Sequence, residues 1–223
     1  MGLEYSIRII ESNDWATYLL VLCFLLIALA KYFYPRRFDD FMMLPVNNKF
    51  FTVHGKEDNL QHPFNIIFFG VQVICATVFI KLLIENTFEG SRDNPWLLLQ
   101  ICAFYCLFVL AKMTIEKIVA NLFSIDSIID HYLYQKLSYR NFISLFLFAG
   151  SLIFIYIFPG QYKAMLVFVL AILALNVITL LYSYKKNGIL IASNFLYFIL
   201  YLCALEISPY IILYRLIITD TSI

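Results

Sequence analysis

Glu206 stands in the middle of an apolar run, Leu190 to Thr219, with Pro209 three residues after it. An acidic side chain at the centre of a membrane helix costs about 2.5–3.5 kcal/mol on an insertion scale, and each surrounding Leu, Ile or Phe offers roughly 0.3–0.6 kcal/mol in return. More than ten such residues flank it, so the segment still inserts, but insertion gives no reason for the acid. Two chemistries suit a carboxyl group placed there. It can hydrogen-bond to a polar side chain of a neighbouring helix and lock the two together, or it can relay a proton or an ion. Gln72, midway along a second apolar run, and Asn176, midway along another, are candidate partners. Lys112 and Glu116, one helical turn apart, form a further polar group near the end of a third run. One acid without a second acid in line favours the lock. Pro209 removes the hydrogen bond that would run back to the carbonyl of Leu205, so the helix can kink there, and Ser208 can help to resatisfy the backbone.

Other reactive residues make weaker patterns. Arg36-Arg37 beside Asp39-Asp40 reads as a solvated, basic membrane-surface cluster; a membrane enzyme of lipid or isoprenoid chemistry is the lesser reading. Asp126, Asp130 and His131, with His54 and His62 in another loop, lack metal-ligand spacing, so no metal is expected. None of the three histidines lies within an apolar run, which argues against a haem held between helices. No phosphate-cradling loop, nucleophile elbow or zinc-protease motif occurs. All five cysteines fall in apolar runs without a C-x-x-C pair and read as helix packing. A net charge of +1 gives no footprint for nucleic acid. No cofactor and no enzymatic activity are expected.

The elements that carry these residues follow from hydropathy. The 223 residues are 62% hydrophobic and 14% charged, with a mean hydropathy of +0.82. A soluble domain is roughly half apolar and about a quarter charged. Apolar runs at about 15–34, 63–84, 95–119, 141–158, 164–184 and 190–218 each approach the roughly 20 residues that one crossing needs. Pro35, Pro63, Pro95 and Pro159 stand at their borders, where a missing N–H does least harm. The expectation is an all-α polytopic membrane protein, a bundle of six transmembrane helices forming a single domain over 1–223. Ala28-Leu29-Ala30 resembles a signal-peptide cleavage site, but Glu4, Glu11 and Asp14 precede the run, and a signal peptide begins positively charged. With the N-terminus outside, 11 basic residues fall on the inner side and 5 on the outer. The positive-inside rule then predicts both termini outside.

Two predicted inner loops have membrane-facing character. In Pro35 to His62, Phe38, Phe41, Met42, Met43, Phe50 and Phe51 alternate with charges, which suits a segment lying in the headgroup layer; a loop folded under the bundle or a docking surface are the alternatives. In Asn121 to Arg140, Leu122, Ile125, Ile129 and Tyr132 recur at helical spacing, with Asp126 and Asp130 on another face. That pattern predicts an amphipathic helix that continues the third span or bends along the membrane.

The run NFLYFILYLCALEISPYIILYRLI, with its L-x-x-x-E-x-x-P pattern through Glu206 and Pro209, resembles the C-terminal signature of an uncharacterised family of integral membrane proteins from Bacteroidota. Asn13-Asp14-Trp15-Ala16-Thr17, the PRRFDDF segment and the Lys112 region resemble the same family. The resemblance implies a bacterial inner-membrane location and no particular reaction. The expected function is a non-enzymatic subunit, scaffold or accessory of a larger cell-envelope complex, such as secretion or gliding machinery, with the lipid bilayer and other membrane subunits as partners. The alternative is a small proton- or ion-coupled transporter component working through Glu206.

Overall fold

In lipid, a spanning backbone must satisfy its own N–H and C=O groups, and an α-helix does so within one segment. The computed structural model describes residues 14–44, 50, 62–87, 96–122 and 126–192, and these are almost entirely helical, with no strand among them. The helices are α1 (Asp14–Phe33), α2 (Pro35–Met42), α3 (Pro63–Thr87), α4 (Trp96–Leu122), α5 (Asp126–Leu152) and α6 (Tyr162–Ala192), with a π-helical turn at Ile153–Ile157 closing α5. Among the described residues five stretches are long and apolar enough to cross a membrane: Asp14–Phe33, Pro63–Asn86, Trp96–Leu122, Tyr132–Ile157 and Tyr162–Thr179. The expected sixth span, 190–218, reaches only its first residues here; the rest lies outside the described residues.

Proline sets most helix borders. Pro35 stands at the first turn of α2, after Tyr34 leaves helical geometry at φ −131°. Pro63 opens α3, and the Phe64 N–H, one of the donors a helix start leaves unpaired, donates to His62 Nδ1 at 3.2 Å. At the far end of α5, the Phe158 N–H donates to the Ile153 carbonyl five residues back at 3.0 Å. Pro159 and Gly160 then turn the chain into α6. Gly160 takes a φ of +79°, where a side chain would be strained.

α3 is the central helix. Of its apolar window 61% is buried, against 6% for α4 and 6% for α6. It packs against α1, α4 and α5, while α6 leans chiefly on α5. Three apolar layers run along it. At one end Phe38, Phe41, Phe50, Phe64, Phe68 and Tyr134 interlock with Ala30. In the middle Cys23 of α1 and Cys75 of α3 touch through their sulfurs at 3.6 Å. At the other end Leu20, Val78, Phe79, Phe154 and Met165 close the core. There Lys81, itself buried, sits 3.7 Å from the Trp15 ring centroid and pairs with Glu85 at 3.4 Å. Gly150 lets α6 approach α5: a Cβ at that position would overlap the Phe168 ring.

Three expectations change. The helix that carries the fourth apolar run begins well before Asn141. The helix runs unbroken from Asp126, and Tyr132, Leu133, Tyr134, Gln135, Leu137, Ser138 and Tyr139 are buried. Lys136 and Arg140 lie inside it because Glu116 and Gln72 receive their donors. Residues 126–136 are thus helical as expected, but as the start of α5, not an extension of the third span. Leu122 is exposed on α4 while Tyr132 is buried on α5, so their spacing joins two separate helices; Ile125 lies outside the described residues. The aromatic part of the Pro35–His62 loop does not lie along the headgroups either. Phe38, Phe41 and Phe50 are core residues, as a segment folded under the bundle would have them; Met42 and Met43 are exposed, and Phe51 lies outside the described residues. Burying a ring against other rings removes more apolar surface from water than resting it among headgroups does.

Candidate functional site

The polar residues that meet in this region sit on four long helices, α3 to α6. α4 places Lys112 and Glu116 four residues apart, and α5 does the same with Lys136 and Arg140. That spacing puts each pair on one helix face. The two faces meet: Lys136 Nζ donates to Glu116 Oε1 at 2.8 Å, with the Glu116 side chain 1% exposed and that of Lys136 15%. The second carboxylate oxygen of Glu116 makes no hydrogen bond. One turn further along α5, Arg140 Nε donates to Gln72 Oε1 on α3 at 3.2 Å, and Gln72 Nε2 donates to the Tyr105 hydroxyl on α4 at 2.7 Å. Three helices are thereby tied through polar atoms that would each be costly in hydrocarbon without a partner.

Gln72, Tyr105, Lys136 and Arg140 line a cavity of about 430 Å³ between α4 and α6, with α5 and α3 behind it. Gln72, Tyr105, Lys112, Lys136 and Arg140 gather along one wall, and Asn176 and Thr179 of α6 face them. Asn176 Nδ2 donates to the Ile172 carbonyl of its own helix at 2.9 Å. Phe108, Ile143, Leu147 and Leu173 make the remaining walls apolar. Lys112 lies ten residues from the end of α4 and Gln72 nine from the start of α3, so both stand about 14–15 Å in from the same end of the bundle at 1.5 Å per residue. A small adjoining pocket contains Glu116 together with Lys112, Lys136 and Arg140. The described side chains around the two spaces therefore carry three cations against one carboxylate.

Of the residues singled out from sequence, Gln72, Lys112 and Asn176 come together around this one cavity, although they belong to three helices. Glu206 and Pro209 lie outside the described residues. Arg36 is exposed. Arg37 departs from the expected basic surface: it is 7% exposed, donates through Nη2 to the Tyr134 hydroxyl at 3.0 Å, and its guanidinium carbon lies 5.9 Å from the Phe64 ring centroid. An Arg that stacks on a ring and hydrogen-bonds a phenol tolerates burial better than a bare ammonium. The Arg36-Arg37-Asp39-Asp40 cluster is thus split between surface and core. His62 is occupied at the start of α3, and Asp130 pairs with Lys117 at 3.4 Å. Among the described residues no three His, Cys, Asp or Glu gather as a metal would need.

Lys136, Arg140 and Tyr105 escaped the reading of the sequence as site residues. The two cations sit at the border of an apolar run and pass for loop charges. Their signal was the i, i+4 spacing, matched by Lys112 and Glu116 on the preceding helix. Tyr105 carries no such signal within an aromatic-rich segment.

A family described as Domain of unknown function (DUF4271) matches residues 16–217 of the chain. No curated protein and no solved structure matches it.

Proposed function

The chain belongs to this DUF4271 family, and on that premise we propose that it is a non-enzymatic subunit of a larger complex in the inner membrane of a Bacteroidota cell envelope. Helix α4 carries this reading. It is attached to the bundle through Tyr105, Lys112 and Glu116 on one side. On the other side it exposes Phe104, Leu107, Ile115, Ile118 and Leu122 along 27 residues. In a bilayer such a face meets lipid chains or the side chains of another helix, which pack on it by van der Waals contact. Secretion or gliding machinery is the setting the sequence resemblance suggests. Purification of the tagged full-length protein in mild detergent is the test. A stoichiometric membrane partner is the expected result; the chain running alone as a monomer or homo-oligomer overturns the reading.

A second reading, a small proton- or ion-coupled transporter component, draws on a different observation: Gln72, Lys112 and Asn176 line one cavity within the bundle. In it the carboxyl of Glu206 is the group that exchanges the proton or ion. Glu206→Gln separates the roles. If the protein accumulates normally and the phenotype of a deletion strain is complemented, Glu206 is a packing lock. Normal accumulation with lost complementation makes it a relay.

A further inference from the structure

We infer that Cys23 and Cys75 are an oxidisable pair, which a membrane quinone converts to a disulfide tying α1 to the central helix α3. Contact comes first. Both cysteines are free thiols. They stand 52 residues apart in sequence, on two spans that pack directly against each other, and their sulfurs lie 3.6 Å apart. A disulfide holds its sulfurs about 2.0 Å apart, so closing this gap asks each sulfur to move by roughly 0.8 Å. Depth comes second. Cys23 is nine residues from the start of α1 and ten from its end, and Cys75 is twelve from either end of α3. At 1.5 Å per residue both lie about 13–18 Å from the helix ends, at the middle of a hydrocarbon core roughly 30 Å thick. The surroundings come third. Both thiols are fully buried, and Leu26, Ile27, Val71, Ile74 and Leu147 pack around them. Disulfide exchange depends on access to the sulfur, and a water-borne reagent such as oxidised glutathione has none at that depth. Lipid is closer. Leu26, Ile27, Ile74 and Leu147 are half-buried, and Leu22 and Phe24 on either side of Cys23 are exposed, so one layer of side chains separates the sulfurs from the bilayer. An electron acceptor dissolved in that bilayer is the class of oxidant the site selects, and a quinone takes up the two electrons of this couple. In the step both S–H bonds break and one S–S bond forms; two protons and two electrons pass to the quinone, which leaves as quinol. The pair needs neither Glu206 nor a protein partner, so it stands apart from both functional readings.

Full-length protein in nanodiscs, fully reduced and then incubated with decylubiquinone, tests this. After denaturation in an alkylating reagent, peptide mapping by mass spectrometry should show Cys23 joined to Cys75 in most chains. About one quinol should form per chain, as a two-electron couple requires. Oxidised glutathione over the same time should leave both cysteines as thiols. Cys23→Ser and Cys75→Ser should each abolish the cross-link and the stoichiometric quinol. Where a variant fails to fold, the wild-type peptide map and quinol yield decide the question without it. Cys23 and Cys75 both found alkylated after quinone treatment overturns the inference. A bond from either of them to Cys102 or Cys106 overturns the pairing. A cross-link that oxidised glutathione forms as readily as the quinone does overturns the assignment to a lipid-soluble oxidant.

Discussion

Glu116 shows how a charge survives inside this bundle. Its carboxylate is 1% exposed, and Lys136 from the next helix reaches one oxygen at 2.8 Å. Neither residue suits hydrocarbon alone, and removing one partner of a buried pair costs about 3–5 kcal/mol because the other is left uncompensated. Glu116→Gln should therefore destabilise the protein by about that amount, while the Glu116→Gln/Lys136→Gln double variant should be clearly more stable than the sum of the single changes. Unfolding of the four proteins in detergent, read as a double-mutant cycle, checks this; additive losses would mean that the pair is not coupled. Polar residues deep in an apolar run announce themselves, which is why Gln72, Lys112 and Asn176 were legible from the chain alone. Lys136 and Arg140 were not, because a cation near the edge of a run looks the same whether it faces water or a carboxylate on another helix.

Helix α2 poses the same question for a segment. Its eight residues alternate aromatic and charged side chains, a pattern that fits a headgroup layer as well as it fits a lid on the core. The structure chooses the core. The Phe41 ring centroid lies 4.6 Å from that of Phe68 and 5.6 Å from that of Phe64, while Met42 points outward. Phe41→Ala should cost about 3–5 kcal/mol of stability, and Met42→Ala should stay within about 0.5 kcal/mol. Equal small effects at both positions, measured by thermal unfolding in detergent, would instead match a segment resting on lipid. The beginning of α5 behaves likewise: Tyr134 stacks on Phe50 with centroids 5.9 Å apart and accepts a hydrogen bond from Arg37, so the two supposed loops are packed against each other.

The arrangement of the spans in the membrane leads to a topology test. Alternate crossing by α1, α3, α4, α5 and α6, with the basic residues inside, puts Lys186 on the cytoplasmic side, and a further crossing by 190–218 would return the C-terminus to the outside. A reporter fused after Lys186 should read cytoplasmic and one fused after Ile223 periplasmic. The same reading from both would show that 190–218 does not cross.

Hydropathy and proline placement sufficed for the helical class and for the beginnings of α1, α3 and α6 to within a few residues, because the cost of an unsatisfied backbone in lipid leaves helix as the only local solution and a missing N–H can be placed only at a helix border. They also marked Gln72, Lys112 and Asn176 as side chains that lipid cannot solvate and that need a partner wherever they sit; Glu206, the partner they were read for, lies outside the described residues. What they left open was direction. Whether Arg37 and Phe41 face headgroups or core, whether Lys136 and Arg140 end a loop or line a cavity, and which helices share that cavity all depend on neighbours remote along the chain. Tyr134 is 97 residues from Arg37 and Gln72 is 68 from Arg140. Contacts over such separations carry no local periodicity, so they become visible only when the helices are packed.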